Sequence, residues 1–203
     1  MPKTLPLLQP IQLKESLFEM DGISEQTIQQ HQAMYERYIK RYNDIANLLD
    51  QVNRDPDRAS STYSPLRVLK IEMTYALGGV RNHELYFEQL GGEGGKPRGG
   101  LASQIKEWFG SFEEWAIDLT STALSSRGWA WLAWDREGQY LYNYLGDVNN
   151  TFPVWNAAPL IALDVYEHAY FLDFKQDRRA YINAFLENLD WEVITQRFEA
   201  ATR

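Results

Sequence analysis

The chain has 203 residues, 44% of them hydrophobic and 14% aromatic, enough to bury a core and to exclude a disordered chain. Its net charge of -8, with Lys and Arg scattered, argues against a nucleic-acid partner, and the absence of cysteine excludes disulfides, thiolate metal sites and Cys nucleophiles. No stretch approaches the roughly 20 apolar residues of a membrane span. Met1 to Thr4 open without an apolar leader, so a soluble cytoplasmic protein is expected.

The first periodic segment starts at Ser24, an N-cap whose capping box is incomplete because Thr27 stands where Glu or Gln would close it. Ile28, His31, Tyr35, Tyr38, Tyr42, Ile45 and Leu49 then recur every three or four residues, one face of a long helix. Asn53 to Ser64 reads as a loop, and a second helix is expected from about Leu66 to Leu90, making an antiparallel hairpin. Gly91 to Gly100 (GGEGGKPRGG) fails the phosphate-loop pattern and marks a boundary. It separates an N-terminal helical hairpin domain, residues 1–90, from a C-terminal α+β domain, residues 91–203.

In the second domain Leu101 to Phe109 and Ser111 to Ser125 look helical, the latter capped by Ser111 ahead of Glu113 and Glu114. The run from Trp129 to Trp134 reads as a strand buried on both faces. Asp135 to Gly138 is a turn into a second strand, Gln139 to Leu145, and Pro159 to Asp164 is a short third one. Arg178 to Arg197 returns to helix, with Tyr181, Phe185 and Leu189 inward. The fold class is α+β, with a three-stranded antiparallel sheet flanked by helices.

Histidine is scarce, three in the whole chain, so chemistry needing several imidazoles must use nearly all of them. Asp164 and His168 stand four apart; in a helical turn both side chains emerge on one side, as natural ligands for iron, manganese or zinc. A capping Asp and a satisfied core His explain the pair equally well. His83 lies on a largely apolar helix, where an unpaired imidazole is costly. Gly78 and Gly79, one turn earlier, weaken that helix and imply close packing, beside a metal centre or simply between helices. His31 lies on the inner face of the first helix. Taken together, three histidines on three apolar-faced elements, one with an Asp four residues before it, make a three-His, one-Asp metal site a specific hypothesis.

The run Asp164 to Tyr170 (DVYEHAY) resembles the signature of the iron/manganese superoxide dismutases, usually DVWEHAY. The resemblance continues through Asn82-His83 with Tyr86-Phe87, where the family has NHxxYW. It extends through Phe109 to Phe112 (FGSF), Gly128 to Leu132 (GWAWL), Arg178 with Tyr181, and Asn188 to Trp191 (NLDW). Order and spacing hold from about Ser24 to Arg197. The resemblance implies one manganese or iron ion per chain, held between the domains by His31, His83, Asp164 and His168 with solvent as fifth ligand, and dismutation of the superoxide anion. It implies that Trp129 and Trp131 form an apolar wall, although plain core packing explains them too, and that Arg178 draws the anion in rather than making a surface ion pair. It further implies that Glu167 reaches across a homodimer interface to the partner's metal-bound His.

Three positions depart from the family pattern. A Tyr usually stands eight residues beyond the first His ligand to guard the entrance; position 39 is Ile, leaving Tyr38 or Tyr35 for that role. The Gln that hydrogen-bonds the metal-bound solvent is absent from both of its usual places, one of which is Gly79. Asn149 is the expected substitute, with Asn150 close behind, and Gly79 leans towards manganese. Phe171 replaces a Tyr that usually bonds across the dimer. These changes keep a second function in view, a metal-binding homologue with weak or no dismutase activity. A third, a non-haem iron oxygenase or peroxidase, would normally use two His and one carboxylate with open positions.

Overall fold

The computed structural model describes residues 5–150 and 154–203; Met1 to Thr4, which carry the expectation of no leader, lie outside the described residues. The described residues open with a segment outside regular structure that leads into a 3-10 turn, Glu15–Phe18. Two long helices follow, α1 (Glu25–Gln51) and α2 (Pro65–Glu88), joined by a loop with a second 3-10 turn at Pro56–Arg58. Both helices start on serine caps. Ser24 accepts from the Thr27 N–H, and Ser64 accepts from the Arg67 N–H with Pro65 at the first helical position. The carboxylate missing from the capping box arrives from far along the chain: Asp173 Oδ2 accepts from the Ser24 N–H at 2.9 Å and from the Thr27 hydroxyl at 2.7 Å.

α1 and α2 run antiparallel, since Tyr35 bonds Glu84 near one end while Tyr42, Ile45 and Leu49 cluster with Ala76, Met73 and Leu69 towards the other. α2 ends at Glu88 rather than at Leu90, whose backbone instead bridges Leu189. Two further helices, α3 (Gly99–Phe109) and α4 (Phe112–Ser125), lead into the sheet.

Strands β1 (Trp129–Asp135), β2 (Tyr140–Gly146) and β3 (Ala157–Asp164) form an antiparallel sheet in the order β2-β1-β3. β1 is central and buried on both faces from Trp129 to Trp134, as expected. β3 begins two residues before Pro159. That proline falls at the register shift against Leu132/Ala133, on an edge strand where its missing N–H is tolerated. Beyond β3 come a 3-10 turn at Glu167–Ala169, a single helical turn α5 (Phe171–Phe174), α6 (Arg178–Glu187) and α7 (Trp191–Ala201).

The single final helix expected from Arg178 to Arg197 is therefore two. The backbone of residues 188–190 pairs with the segment after α2: Gly92 N–H to Asn188 O, Gly94 N–H to Leu189 O, and Asp190 N–H to Gln89 O at 2.7 Å. Asp190 then caps α7 by accepting from the Val193 N–H. The main core spans both halves, with Ile28, Tyr35, Tyr86 and Phe87 from the hairpin packed with Trp129, Ile161, Leu163 and Phe185.

Candidate metal centre

α1 delivers His31 and α2 delivers His83, their rings 4.9 Å apart across the hairpin. Asp164 is the last residue of β3, and His168 sits in the 3-10 turn that follows. The expected helical turn linking these two is thus a strand end and a 3-10 turn. Its tighter winding still brings them together, with His168 Nε2 3.0 Å from Asp164 Oδ2. His31 Nε2 lies 3.2 Å and His83 Nε2 3.7 Å from the same oxygen. One ligand atom from each of the four residues lies within 4.8 Å of all the others.

Two of the four donors, His83 and Asp164, are held from behind by side-chain contacts with the backbone. His83 Nδ1 donates to the Gly79 carbonyl at 2.6 Å, which fixes the tautomer with the Nε2 lone pair facing the cluster. Asp164 Oδ1 accepts the Tyr166 N–H at 2.9 Å, leaving Oδ2 among the imidazoles. The Tyr181 hydroxyl donates to the Asp164 carbonyl at 2.7 Å and lies 3.3 Å from the Tyr86 hydroxyl. His31, His83 and Asp164 are buried, whereas the His168 side chain keeps 29% exposure and forms the open side.

Burial lowers the pKa of His31 and brings that of His83 down to about 3, so both imidazoles are neutral at neutral pH. Burial opposes the Asp164 carboxylate, but its contacts with His168 and His31 overcome that and hold it well below the usual carboxylate range. Three imidazoles and one carboxylate form the hard-to-borderline donor set of iron, manganese or zinc. The fit is further supported by His83 Nε2, which is buried and has no hydrogen-bond partner among the described residues. An orphaned buried acceptor of that kind is costly unless an ion sits in front of it.

The surrounding residues divide into two groups. Tyr38 stands beside the cluster, its ring 5.4 Å from that of His83 and 6.1 Å from that of Tyr75. Burial raises its phenol to about 12, with the Asn149 amide lowering and Tyr75 raising it by smaller amounts. Tyr35, the other candidate guard, has its hydroxyl committed elsewhere: it accepts the Ile11 N–H at 3.0 Å and donates to Glu84. Asn149 is buried, and its Oδ1 accepts the Trp129 Nε1–H at 2.9 Å. Its Nδ2 makes no well-formed hydrogen bond among the described residues, despite lying near enough to Tyr38 to influence it. Asn150 points elsewhere, donating to Thr74 Oγ1 on the surface.

Trp129 meets His83 edge-on at 5.3 Å, and Trp131 stacks on Trp129 one ring further out. Arg178 is half-buried; its Nη1 donates to Ser126 O at 2.9 Å and its Nε to Tyr170 Oη at 3.3 Å. With exposed Glu167 and Tyr170 it lines a hollow of about 320 Å³ on the outer side of the 3-10 turn.

The two glycines singled out from the sequence shape the site, and so does Gln89, which was not. A Cβ on Gly78 would meet the Asn149 carbonyl at 2.2 Å, and one on Gly79 would meet the Tyr38 ring at 2.8 Å, so both glycines make room for site residues. Gln89 is buried after the end of α2 and pairs with Ala162 on the edge strand: Ala162 N–H donates to Oε1 at 2.9 Å, and Nε2 donates back to Ala162 O. A buried Gln directly after a helix is a signal that a sequence offers without naming its partner.

A sequence model described as "iron/manganese superoxide dismutases, C-terminal domain" matches residues 97–197. An iron superoxide dismutase of Aquifex aeolicus is 39% identical over 188 residues, covering 91% of this chain and 88% of its own. A manganese superoxide dismutase of Halobacterium salinarum is 34% identical over 181 residues, covering 88% of each chain. An iron superoxide dismutase of Cupriavidus metallidurans is 33% identical over 190 residues, covering 91% of this chain and 93% of its own.

Proposed function

This chain belongs to the iron/manganese superoxide dismutase family, and from that membership we propose that it is a superoxide dismutase working with one iron or manganese ion held by His31, His83, Asp164 and His168. The observation that carries the proposal is the gathering of these four donors within 4.8 Å of one another, one of them, His83 Nε2, buried and without a hydrogen-bond partner among the described residues. When bound, iron or manganese would supply the one-electron redox chemistry by which two superoxide anions and two protons become one oxygen and one hydrogen peroxide.

The residues of the chain supply everything else. The Gly79 carbonyl and the Tyr166 N–H orient His83 and Asp164, so little rearrangement accompanies the change of charge. Trp129 excludes water on one side, which sharpens the electrostatic interactions within. Peroxide release needs two protons. Tyr38, held protonated by its raised pKa, is the group beside the site able to lend one, and Asn149 links it to Trp129. Arg178 supplies positive charge on the open side of an acidic protein, focusing the anion there.

A homodimer belongs to the same proposal. Glu167 is exposed beside His168 without an intrachain partner among the described residues, and Phe171 and Leu172 expose 44% and 42% of their surface next to it. Such a face suits a second copy whose Glu167 reaches the His168 imidazole. The division into a hairpin domain, residues 1–90, and an α+β domain, residues 91–203, is supported by the metal donors arriving from both sides of the glycine-rich segment. No described helix is long and apolar enough to cross a membrane, and the expected cytoplasmic location rests on the amino-acid sequence alone.

Metal content and superoxide removal, measured on one sample purified without added metal, test the function. Near one iron or manganese per chain is expected, with activity scaling with occupancy and lost in His83→Ala. Full occupancy without activity would overturn the enzyme and leave the metal-binding homologue.

A further inference from the structure

One face of the β1–β2 hairpin carries a run of easily oxidised rings. Alternation places Trp129 and Trp131 of β1 on the same side, and the register sets Tyr144 opposite Trp131, Tyr142 opposite Ala133 and Tyr140 opposite Asp135. The rings run outward without a gap. Ring centroids lie 5.3 Å apart from His83 to Trp129, 6.2 Å to Trp131, 4.9 Å to Tyr144, 5.6 Å to Tyr142 and 5.4 Å to Tyr140. A last step of 5.6 Å reaches Trp108 of α3, which is 46% exposed. The inner end touches a metal-ligand candidate and the outer end touches solvent.

Packing alone would be served equally by Leu, Val or Phe, yet no aliphatic or Phe side chain interrupts these six positions. The chain also has no cysteine and only four methionines, so it lacks the thiols that usually absorb oxidising equivalents. Another aromatic run leaves the centre through Tyr86 and Tyr181, but it ends at Tyr170, which is 4% exposed.

We propose that this ladder is a one-electron relay that protects the metal centre from its own product by carrying oxidising equivalents from Trp129 to Tyr140 and Trp108. The proposal rests on the redox-metal function proposed for the site. Hydrogen peroxide accepts two electrons and, from solvent, two protons to become two waters; one electron would come from the reduced ion when it is bound and the other from Trp129. The vacancy left on Trp129 is filled from Trp131, and so on outward. Burial pushes the Tyr144 and Tyr142 phenols up, and the Tyr142 hydroxyl has no hydrogen-bond partner among the described residues. With no partner beside the Tyr142 hydroxyl to accept its proton, the vacancy is not trapped there as a neutral radical and moves on to the solvent-facing end. There Tyr140 releases its proton to solvent, and an external one-electron donor of the ascorbate or thiol class returns one electron while solvent returns the proton.

The test compares metal-loaded wild type with the Tyr142→Phe/Tyr144→Phe double variant. Phe keeps the rings and their packing but is not oxidised where Tyr and Trp are, and no Tyr142 hydrogen bond is lost. Both proteins are reduced, freed of donor and given a small excess of hydrogen peroxide. Oxidised residues are mapped by peptide mass spectrometry, and protein radicals are recorded by freeze-quench electron paramagnetic resonance. Wild type is expected to carry at least fivefold more oxidation at Tyr140 and Trp108 than at Trp129 and Trp131, suppressed by added ascorbate. The variant should reverse that ratio and lose bound metal several-fold faster. Identical maps in the two proteins, or equal Trp108 oxidation in metal-free wild type, would overturn the relay while superoxide removal stays intact. A chain that takes up no redox-active metal would overturn both the relay and the function on which it rests.

Discussion

The ring of Tyr38 occupies the space that a side chain on Gly79 would need, since a Cβ there would stand 2.8 Å from it. The missing side chain on α2 is therefore what allows a tyrosine on α1 to stand against His83. Gly79 thus has two jobs, because its carbonyl also holds His83 Nδ1.

Gly79→Ala is expected to push Tyr38 aside. Overpacking costs about 1–3 kcal/mol, against a helix-propensity gain of no more than about 1 kcal/mol. Urea unfolding should show a net loss of stability. At unchanged metal content, superoxide removal should fall roughly tenfold, because the proton donor has moved. Unchanged activity in a fully metallated variant would mean that Tyr38 has no part in proton supply.

Asn149→Ala should leave the buried Trp129 Nε1–H without an acceptor, at about 1–3 kcal/mol of stability. Metal content should stay near wild type, since Asn149 is not among the four donors. Activity should fall at least tenfold, and a redox titration of the bound ion should show a shifted midpoint. The matching Asn150→Ala variant, whose amide donates to Thr74 on the surface, is expected to leave both quantities unchanged.

Gln89→Leu removes the side chain that pairs with Ala162, two residues before Asp164. Unpaired Ala162 groups should cost about 1–3 kcal/mol, lowering the thermal midpoint by about 2–4 °C per kcal/mol in a domain of this size. Because β3 ends in Asp164, chelator competition should also show weaker metal retention. A fall in midpoint with unaltered retention would limit Gln89 to a purely structural role.

Acid should act on the metal-free protein through its buried imidazoles. His83 has its pKa brought down from 6.5 to about 3, so between those values the unfolded chain binds a proton that the folded one refuses. Stability therefore falls as pH drops from about 6.5 towards 3, by up to a few kcal/mol in all. Asp164, held below the usual carboxylate range, adds a further loss once pH passes below about 4. Because protons compete poorly for these imidazoles in the folded state, metal release from the loaded protein should coincide with unfolding. Parallel circular dichroism and metal-release curves against pH check this, and release well ahead of unfolding would contradict it.

Much of the site is legible in the amino-acid sequence because its chemistry is concentrated. With three histidines in the chain, a three-imidazole site can only be His31, His83 and His168. The helical hairpin follows from a period of 3.6, set by burying one face of each helix, and central β1 from an unbroken apolar run, set by burying both of its faces. Serine caps at Ser24 and Ser111 mark helix starts by local chemistry, which a sequence carries in full.

Other features depend on partners distant along the chain. Periodicity cannot reveal the break at Asn188 to Asp190, because those backbone groups leave the helical pattern to pair with residues 89–94. Nor can spacing decide between Tyr35 and Tyr38: one hydroxyl is drawn away by Ile11 and Glu84, while the other ring fills the space above Gly79. Pattern favours Asn149 over Asn150, but what separates them is contact with Trp129 on one side and Thr74 on the other. Residue chemistry and periodicity are local, so the candidate donors and the long helices bearing His31 and His83 can be read from the amino-acid order. Where each side chain ends depends instead on the space and hydrogen-bond partners left by distant segments. Asp173, closing the cap at Ser24 from 149 residues along the chain, is one such partner.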